Sequence, residues 1–355
     1  MKAFTYTSGA ARVIFGAGSL QHLEREVALL GATKALVLCT PEQVDTAQLV
    51  VDRLGDRVAA LFSKAVMHVP IETAREARTW ARELGADCAV AIGGGSTIGL
   101  GKAIALEAPA GTLPILAIPT TYAGSEMTPI YGLTEAGVKK TGKDTRVLPR
   151  TVIYDAELTL SLPVGLSMTS GLNALAHSAE GLYSQDGNPI MSLMAEEGIR
   201  ALVQALPAIK AAPQDIEART QAQYGAWLCG TVLGNVGMAL HHKLCHTLGG
   251  TFNLPHAETH SVVLPHAIAY NAPAIPAALA AMRRALGNDD PARALFELGA
   301  QLGIPKSLGA LGMPEDGIER AADLATQNAY WNPRPIERGA IVELLRRAWA
   351  GQPPA

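Results

Sequence analysis

Hydrophobic residues are patterned in two ways along this chain, and the pattern changes near residue 155. Before that point short aliphatic runs alternate with polar, amphipathic stretches. The runs are KALVLC (34–39), RVAALFS (57–63), CAVAIGGG (88–95), PILAIPTT (114–121) and TVIYD (151–155). Short runs rich in Val and Ile, closed by Gly, Pro or Thr, predict strands buried on both faces, as in a parallel sheet. Between two of them PIETAREARTWARELGA (70–86) has helical spacing and predicts a crossover. From Pro163 onward Ala, Leu and His dominate, strand-like runs are rare, and Gly and Pro separate stretches of helical length. The expected architecture is an α/β domain over residues 1–155 followed by an all-helical domain over 156–355.

Composition agrees with two cores. The chain has 355 residues, 48% of them hydrophobic and 17% charged, more material than one core usually serves. A net charge of -3, with Lys and Arg scattered, gives no attraction for nucleic acid or anionic lipid. The start, MKAFTYTSGA, has no apolar leader, and no apolar run approaches the ~18 residues of a membrane span. A cytoplasmic protein is expected. Cys39, Cys88, Cys229 and Cys245 are widely spaced without CxxC and read as reduced, packed thiols.

Chemistry concentrates in three places. Strand 88–92 runs into Gly93, Gly94, Gly95 and Ser96 and then a helix, an arrangement in which backbone N–H groups approach a phosphate closely. The next strand ends in Thr120, Thr121, Tyr122, Ala123, Gly124 and Ser125, putting hydroxyls on the same expected sheet edge, where open α/β sheets bind ligands. A dinucleotide pyrophosphate fits there, with Lys102 either facing it or solvated on its helix. The third place is a run of histidines. Asn173 and His177 share a helix face, as do His242 and His246, and His256 follows Pro255. Imidazoles at 177, 242 and 256 would suit a divalent transition metal given a fourth ligand, but Asn173 offers a neutral amide where a carboxylate is wanted.

Taken together, GGGSTIG, PTTYAGSE, GLNALAH, HKLCHTLG, PHA and Asn332-Pro333-Arg334 resemble, in order and spacing, the signature segments of the iron-containing alcohol dehydrogenase superfamily, which includes dehydroquinate synthase. The chain departs from that pattern at Gly99 and Asn173, where Asp is usual, and at Ala257, where Gly is usual. These departures, with the segment 121–155, resemble its maleylacetate reductase branch.

The resemblance implies a dehydroquinate synthase-like fold, a substrate cleft between the two domains, and a homodimer active in catabolism of aromatic compounds. It implies that NADH or NADPH is bound by Gly93, Gly94, Gly95, Ser96, Thr120 and Thr121, with Ser125 and Thr128 nearby and Lys140 or Lys143 against the nucleotide. Thr40, where the superfamily often has Asp, should admit both cofactors. Asn173, His177, His242 and His256 would occupy the superfamily's former metal shell, with His246 beside the reacting atoms and no metal bound. Tyr122, Arg146, Lys243 and Trp331 are further pocket candidates, and protonated histidines, Lys243 and Arg146 are available to a dicarboxylate. The implied reaction adds hydride to the conjugated C=C bond of maleylacetate, giving 3-oxoadipate. Alternatives are a metal-dependent alcohol or polyol dehydrogenase in which Asn173 ligates through its oxygen, a silent nucleotide sensor, and a lyase.

Overall fold

The structure is a computed structural model that describes residue 6 and residues 11–109, 113–136, 138–327 and 330–355. Its contacts divide the chain into two compact units, one ending at Leu162 and the other starting at Pro163.

The first unit is built on a six-stranded parallel sheet. Its elements are β1 (Arg12–Phe15), α1 (Leu23–Leu29), β2 (Ala35–Leu38), α2 (Val44–Leu54), β3 (Val58–Phe62), α3 (Ile71–Glu83), β4 (Cys88–Gly93), α4 (Gly95–Glu107), β5 (Ile115–Pro119), β6 (Ile130–Glu135), β7 (Val138–Lys143) and β8 (Thr151–Tyr154). Every residue of β2, β4, β5 and β8 is buried, as near-continuous apolar runs require. One face packs Val37, Val90, Ile92, Leu116 and Ile118 against Leu23, Val27, Ala47 and Val50 of α1 and α2. In α3, Ile71, Ala74, Ala77 and Ala81 form the buried stripe expected of a crossover helix. β6 and β7 form a separate antiparallel pair.

The strand order is β1-β8-β5-β4-β2-β3. The chain leaves β2 toward β3 on one side and leaves β4 toward β5 on the other, so the order reverses between β2 and β4. In an open parallel sheet the crevice beyond the carboxyl ends at such a reversal is where ligands bind. The turn over 15–20 is fastened to the end of β8, because the Asp155 carboxylate accepts the N–H groups of Gly18 at 2.9 Å and Leu20 at 2.8 Å.

The second unit contains α5 (Val164–Gly181), α6 (Pro189–Ala211), α7 (Ile216–Asn235), α8 (Leu240–Phe252), α9 (His256–Asn271), α10 (Pro276–Leu286), α11 (Pro291–Leu302), α12 (Gly317–Thr326) and α13 (Arg338–Ala350). α5 is buried along almost its whole length, from Ser167 to Gly181. Leu240, Leu244 and Leu248 of α8 pack with Val262, Val263, Ala321 and Leu345. No helix among the described residues is long and apolar enough to cross a membrane. All four cysteines are free and buried.

Candidate active site

At the carboxyl edge of the sheet the predicted nucleotide residues gather at the reversal. The Gly93 carbonyl accepts the Thr120 N–H at 3.1 Å, and Gln43, at the start of α2, donates its side-chain amide to Thr120 Oγ1 at 2.7 Å. Gln43 is also joined to Thr40, whose carbonyl accepts its backbone N–H at 3.1 Å. Gly93 has φ +151°, and a Cβ there would lie 2.5 Å from Thr97 Oγ1 and 2.7 Å from Gln43 Oε1. At Gly94 a Cβ would lie 2.9 Å from Thr121 Cγ2. Gly95 then opens α4 without a side-chain cap, leaving the N–H groups of its first turn directed outward with Ser96 half-buried beside them. Gln43 was not foreseen as a site residue; its position just past a buried strand end was the available signal.

Thr40 has a charged neighbour. Its hydroxyl hydrogen-bonds Glu42, and this bond, after that from Glu42's own backbone N–H, holds the Glu42 carboxyl below its usual range. An ionised carboxylate therefore stands two residues from the position expected to select the cofactor.

Lys102 takes neither of its two expected roles. It is fully buried, and its ammonium lies 2.6 Å from Ser125 O, 2.8 Å from Ile130 O, 3.0 Å from Thr128 Oγ1 and 3.2 Å from Ser125 Oγ. Thr128 Oγ1 also accepts from Ile130 N and donates to Ser125 O. Ser125 and Thr128 thus brace Lys102. Burial pulls Lys102 down to about 7, and Glu126 acts in the opposite sense. Four oxygens within 3.2 Å of Nζ, two of them backbone carbonyls that can only accept, match the donors of an ammonium, so the geometry favours the charged form. Glu126 accepts the Tyr154 hydroxyl at 2.8 Å, and burial pushes its carboxyl up. At Gly99, where Asp is usual, a Cβ would lie 2.9 Å from Val69 Cγ2.

Lys140 and Lys143 lie exposed on β7, Lys140 paired with Glu135 at 2.9 Å. Arg146 is bound by Asp144 through Nη2 at 2.7 Å, and Lys243 sits over the Tyr330 ring at 5.5 Å. Two of the cations expected for a dicarboxylate therefore have partners already. Tyr122 is fully buried and Trp331 half-buried.

The histidine cluster belongs to the helical unit. The ring of His177, on α5, lies 5.3 Å from that of His242, on α8; His242 is 6.1 Å from His246, and His246 stacks at 6.2 Å on His256, the first residue of α9. His260, one turn further along α9, is 4.3 Å from His256 and 4.9 Å from His242. Asn173, His177 and His242 are buried, whereas His246 and His256 are exposed. Asn173 Oδ1, His177 Nδ1 and His242 Nε2 are buried without a hydrogen-bond partner in the protein. Such atoms cost roughly 1–3 kcal/mol each unless a ligand or water meets them.

Burial, and then the charges of His242, His256 and His246, hold His177 well below the usual imidazole range. His177 is therefore neutral, not the protonated partner expected for a carboxylate. His241 and His260, held down by the same causes, share one hydrogen bond at 3.0 Å. Glu180 was missed as a site residue. Fully buried on α5, it accepts the backbone N–H of His241 at 2.8 Å and of His242 at 3.3 Å, and lies 2.5 Å from His242 Nδ1. The signal was present, since Glu180 is the one acidic residue in α5. The NPR segment is architectural: Asn332 accepts Leu240 N–H at 3.3 Å, exchanges amide bonds with Asn271, and precedes Arg334, which covers the Tyr270 ring at 4.3 Å.

A glycine-led nucleotide edge followed by a helical unit with clustered imidazoles defines a dehydrogenase-type architecture, and family comparison identifies which. Residues 10–156 match the family described as iron-containing alcohol dehydrogenase, and residues 167–349 match the Fe-containing alcohol dehydrogenase family, C-terminal. The chain belongs to the iron-containing alcohol dehydrogenase family. Among its relatives, a maleylacetate reductase of Burkholderia cepacia is 62% identical over 355 residues, covering all of both chains. The crystal structure of maleylacetate reductase from Rhizobium sp. strain MTP-10005 superposes with a TM-score of 0.96 at 55% identity, again over all of both chains. A 1,3-propanediol oxidoreductase structure gives 0.90 at 28% identity, covering 98% of this chain and 100% of that one.

The family's name carries iron, and lends no support to the expectation of a metal-free protein. The residues themselves match iron poorly. Iron(II) sites of mixed donors use a carboxylate beside imidazoles, and Asn173 supplies none, while Glu180 is engaged by His241 and His242. Among the described residues the His, Cys, Asp or Glu group with ligand atoms within 4.8 Å of one another is His241, Cys245 and His260, not 177, 242 and 256. In that group His241 Nε2 and His260 Nδ1 are hydrogen-bonded to each other at 3.0 Å, with Cys245 Sγ 3.8 Å from His241 Nε2.

Proposed function

We propose that this protein reduces the conjugated C=C bond of maleylacetate to 3-oxoadipate, consuming one NADH or NADPH and one proton, in a cytoplasmic route of aromatic-compound breakdown. The observation that carries the reading is the buried, unpartnered carboxamide oxygen of Asn173 one turn before His177 on α5, in a chain 62% identical to a maleylacetate reductase. A ketone reductase leaves charge on an alkoxide, for which a Lewis acid contributes several kcal/mol. Hydride added to the alkene instead leaves an enolate, a weaker base that neutral hydrogen-bond donors can stabilise.

NADH or NADPH supplies the hydride when bound. In this reading Gly93, Gly94, Gly95, Ser96, Thr120 and Thr121 hold its phosphates and ribose, with Thr40 at the 2'-position. The Glu42 carboxylate beside Thr40 accepts a 2'-hydroxyl and repels a 2'-phosphate, which tilts an otherwise permissive site toward NADH. Of the two lysines proposed on β7, Lys140 is paired with Glu135, whereas Lys143 is exposed and has no ion pair among the described residues. Asn173 and His177 present groups to the enolate oxygen. His242 or His246 relays the proton to carbon, and His256 closes the cluster. We place the working boundary of the nucleotide domain at residue 155, with the substrate domain over 156–355.

The decisive assay follows NADH oxidation with maleylacetate, and with simple aldehydes and ketones, in the presence and absence of chelator. Turnover of maleylacetate alone, unchanged by chelation, is expected. Activity on aldehydes that is lost on chelation and restored by metal would favour the metal-dependent alcohol dehydrogenase instead.

A further inference from the structure

We infer that Glu180 is a positioning residue that sets both the direction and the tautomer of His242, leaving Nε2 as the one ring atom that His242 can offer to substrate. The inference rests on the reaction proposed above and extends it to a residue outside the reacting atoms.

The geometry is specific. One carboxylate uses both oxygens on two consecutive residues: Oε1 accepts from His241 N, and Oε2 takes His242 N and His242 Nδ1. Those backbone N–H groups belong to the first turn of α8, which has no side-chain cap of its own. Glu180 thus supplies from α5 what a local cap would supply, and the negative charge is favourable at a helix N-terminus. The same oxygen that fixes the backbone of His242 fixes its ring, so the imidazole cannot turn without losing a bond to a buried carboxylate. A carboxylate accepts only, so the proton in this contact sits on Nδ1. Nε2 is left buried and unpartnered. Burial sharpens the effect, since a wrong tautomer here would face oxygen lone pairs across 2.5 Å in a low-dielectric surrounding.

Glu180→Gln keeps the shape and an oxygen for the His241 N–H, but a carboxamide NH2 turned to Nδ1 drives the ring proton to Nε2 and gives up the longer 3.3 Å bond from His242 N. Glu180→Ala removes both functions and risks the fold of α8, so Gln is the main variant and thermal unfolding accompanies each. The expected result for Glu180→Gln is a 10- to 100-fold fall in kcat with NADH affinity within about twofold of wild type. Nitrogen-15 spectra of histidine-labelled protein should show His242 protonated at Nδ1 in wild type and at Nε2 in the variant, a change that loosened packing would not produce. In a His242→Ala background the Glu180→Gln change should add nothing further to the loss of kcat.

A kcat within twofold of wild type in Glu180→Gln, an unmoved tautomer, or losses that add fully in the double variant would each overturn the inference. If wild-type protein does not turn over maleylacetate, the proposed reaction fails. The tautomer shift still reads the Glu180–His242 contact separately.

Discussion

His266 shows what burial does to an imidazole with no acid to support it. It is 3% exposed, its Nε2 has no partner, and burial followed by the charge of Arg347 pulls it down to about 4. The unfolded chain takes up a proton near pH 6.5 that the folded one refuses until about pH 4, so the stability associated with His266 is present above 6.5 and is lost as pH falls through that window. At full extent the loss is about 3 kcal/mol, of which about 2 accrues between pH 7 and 5. Denaturant unfolding at these two pH values should show a smaller drop for His266→Gln than for wild type; equal drops would remove His266 from the account. Spacing alone made Asn173, His177, His242 and His246 legible in the sequence. Lys102 was not, because its burial depends on acceptors 23 to 28 residues away. Glu180 was passed over because a single acid in an apolar helix does not announce its partners, which here are 61 and 62 residues further on.

The end of β4 combines close packing with a positive φ at Gly93. Gly93→Ala would put a methyl against Thr97 and Gln43 while holding alanine at a φ that L-residues rarely adopt. A cost of about 1–3 kcal/mol is expected, with NADH affinity lowered at least tenfold because the β4–α4 turn must shift. Unfolding and fluorescence titration with NADH check the two parts, and unaltered affinity would mean the turn does not carry the nucleotide. Four of the five strands read correctly from the sequence are buried on both faces, where apolar runs leave no ambiguity, and the fifth, β3, is a half-buried edge strand whose run VAALF is apolar throughout. β1 and the β6–β7 pair were missed for the complementary reason. RVIF is short and only half-buried, and VKKTGK has the polarity of a loop, since backbone pairing with β6 rather than apolar burial makes it a strand.

For the whole molecule, native mass spectrometry should give the mass of two chains with no bound ion. A divalent metal at one per chain would reinstate the metal-dependent reading, and a single-chain mass would remove the proposed homodimer. A different consequence follows from the place of β8, the strand through which β1 joins the sheet, with a register that pairs Arg12 with Thr151. During synthesis β1 leaves the ribosome before every other strand of the unit, and its partner is the last of them to follow. The first unit therefore cannot finish folding in the order in which it is made. Its closing contact is the most distant in sequence, which makes that step slow. Until Tyr154 has emerged, β1 has no sheet to join, and a nascent chain stalled after β5 would be a natural client for a chaperone.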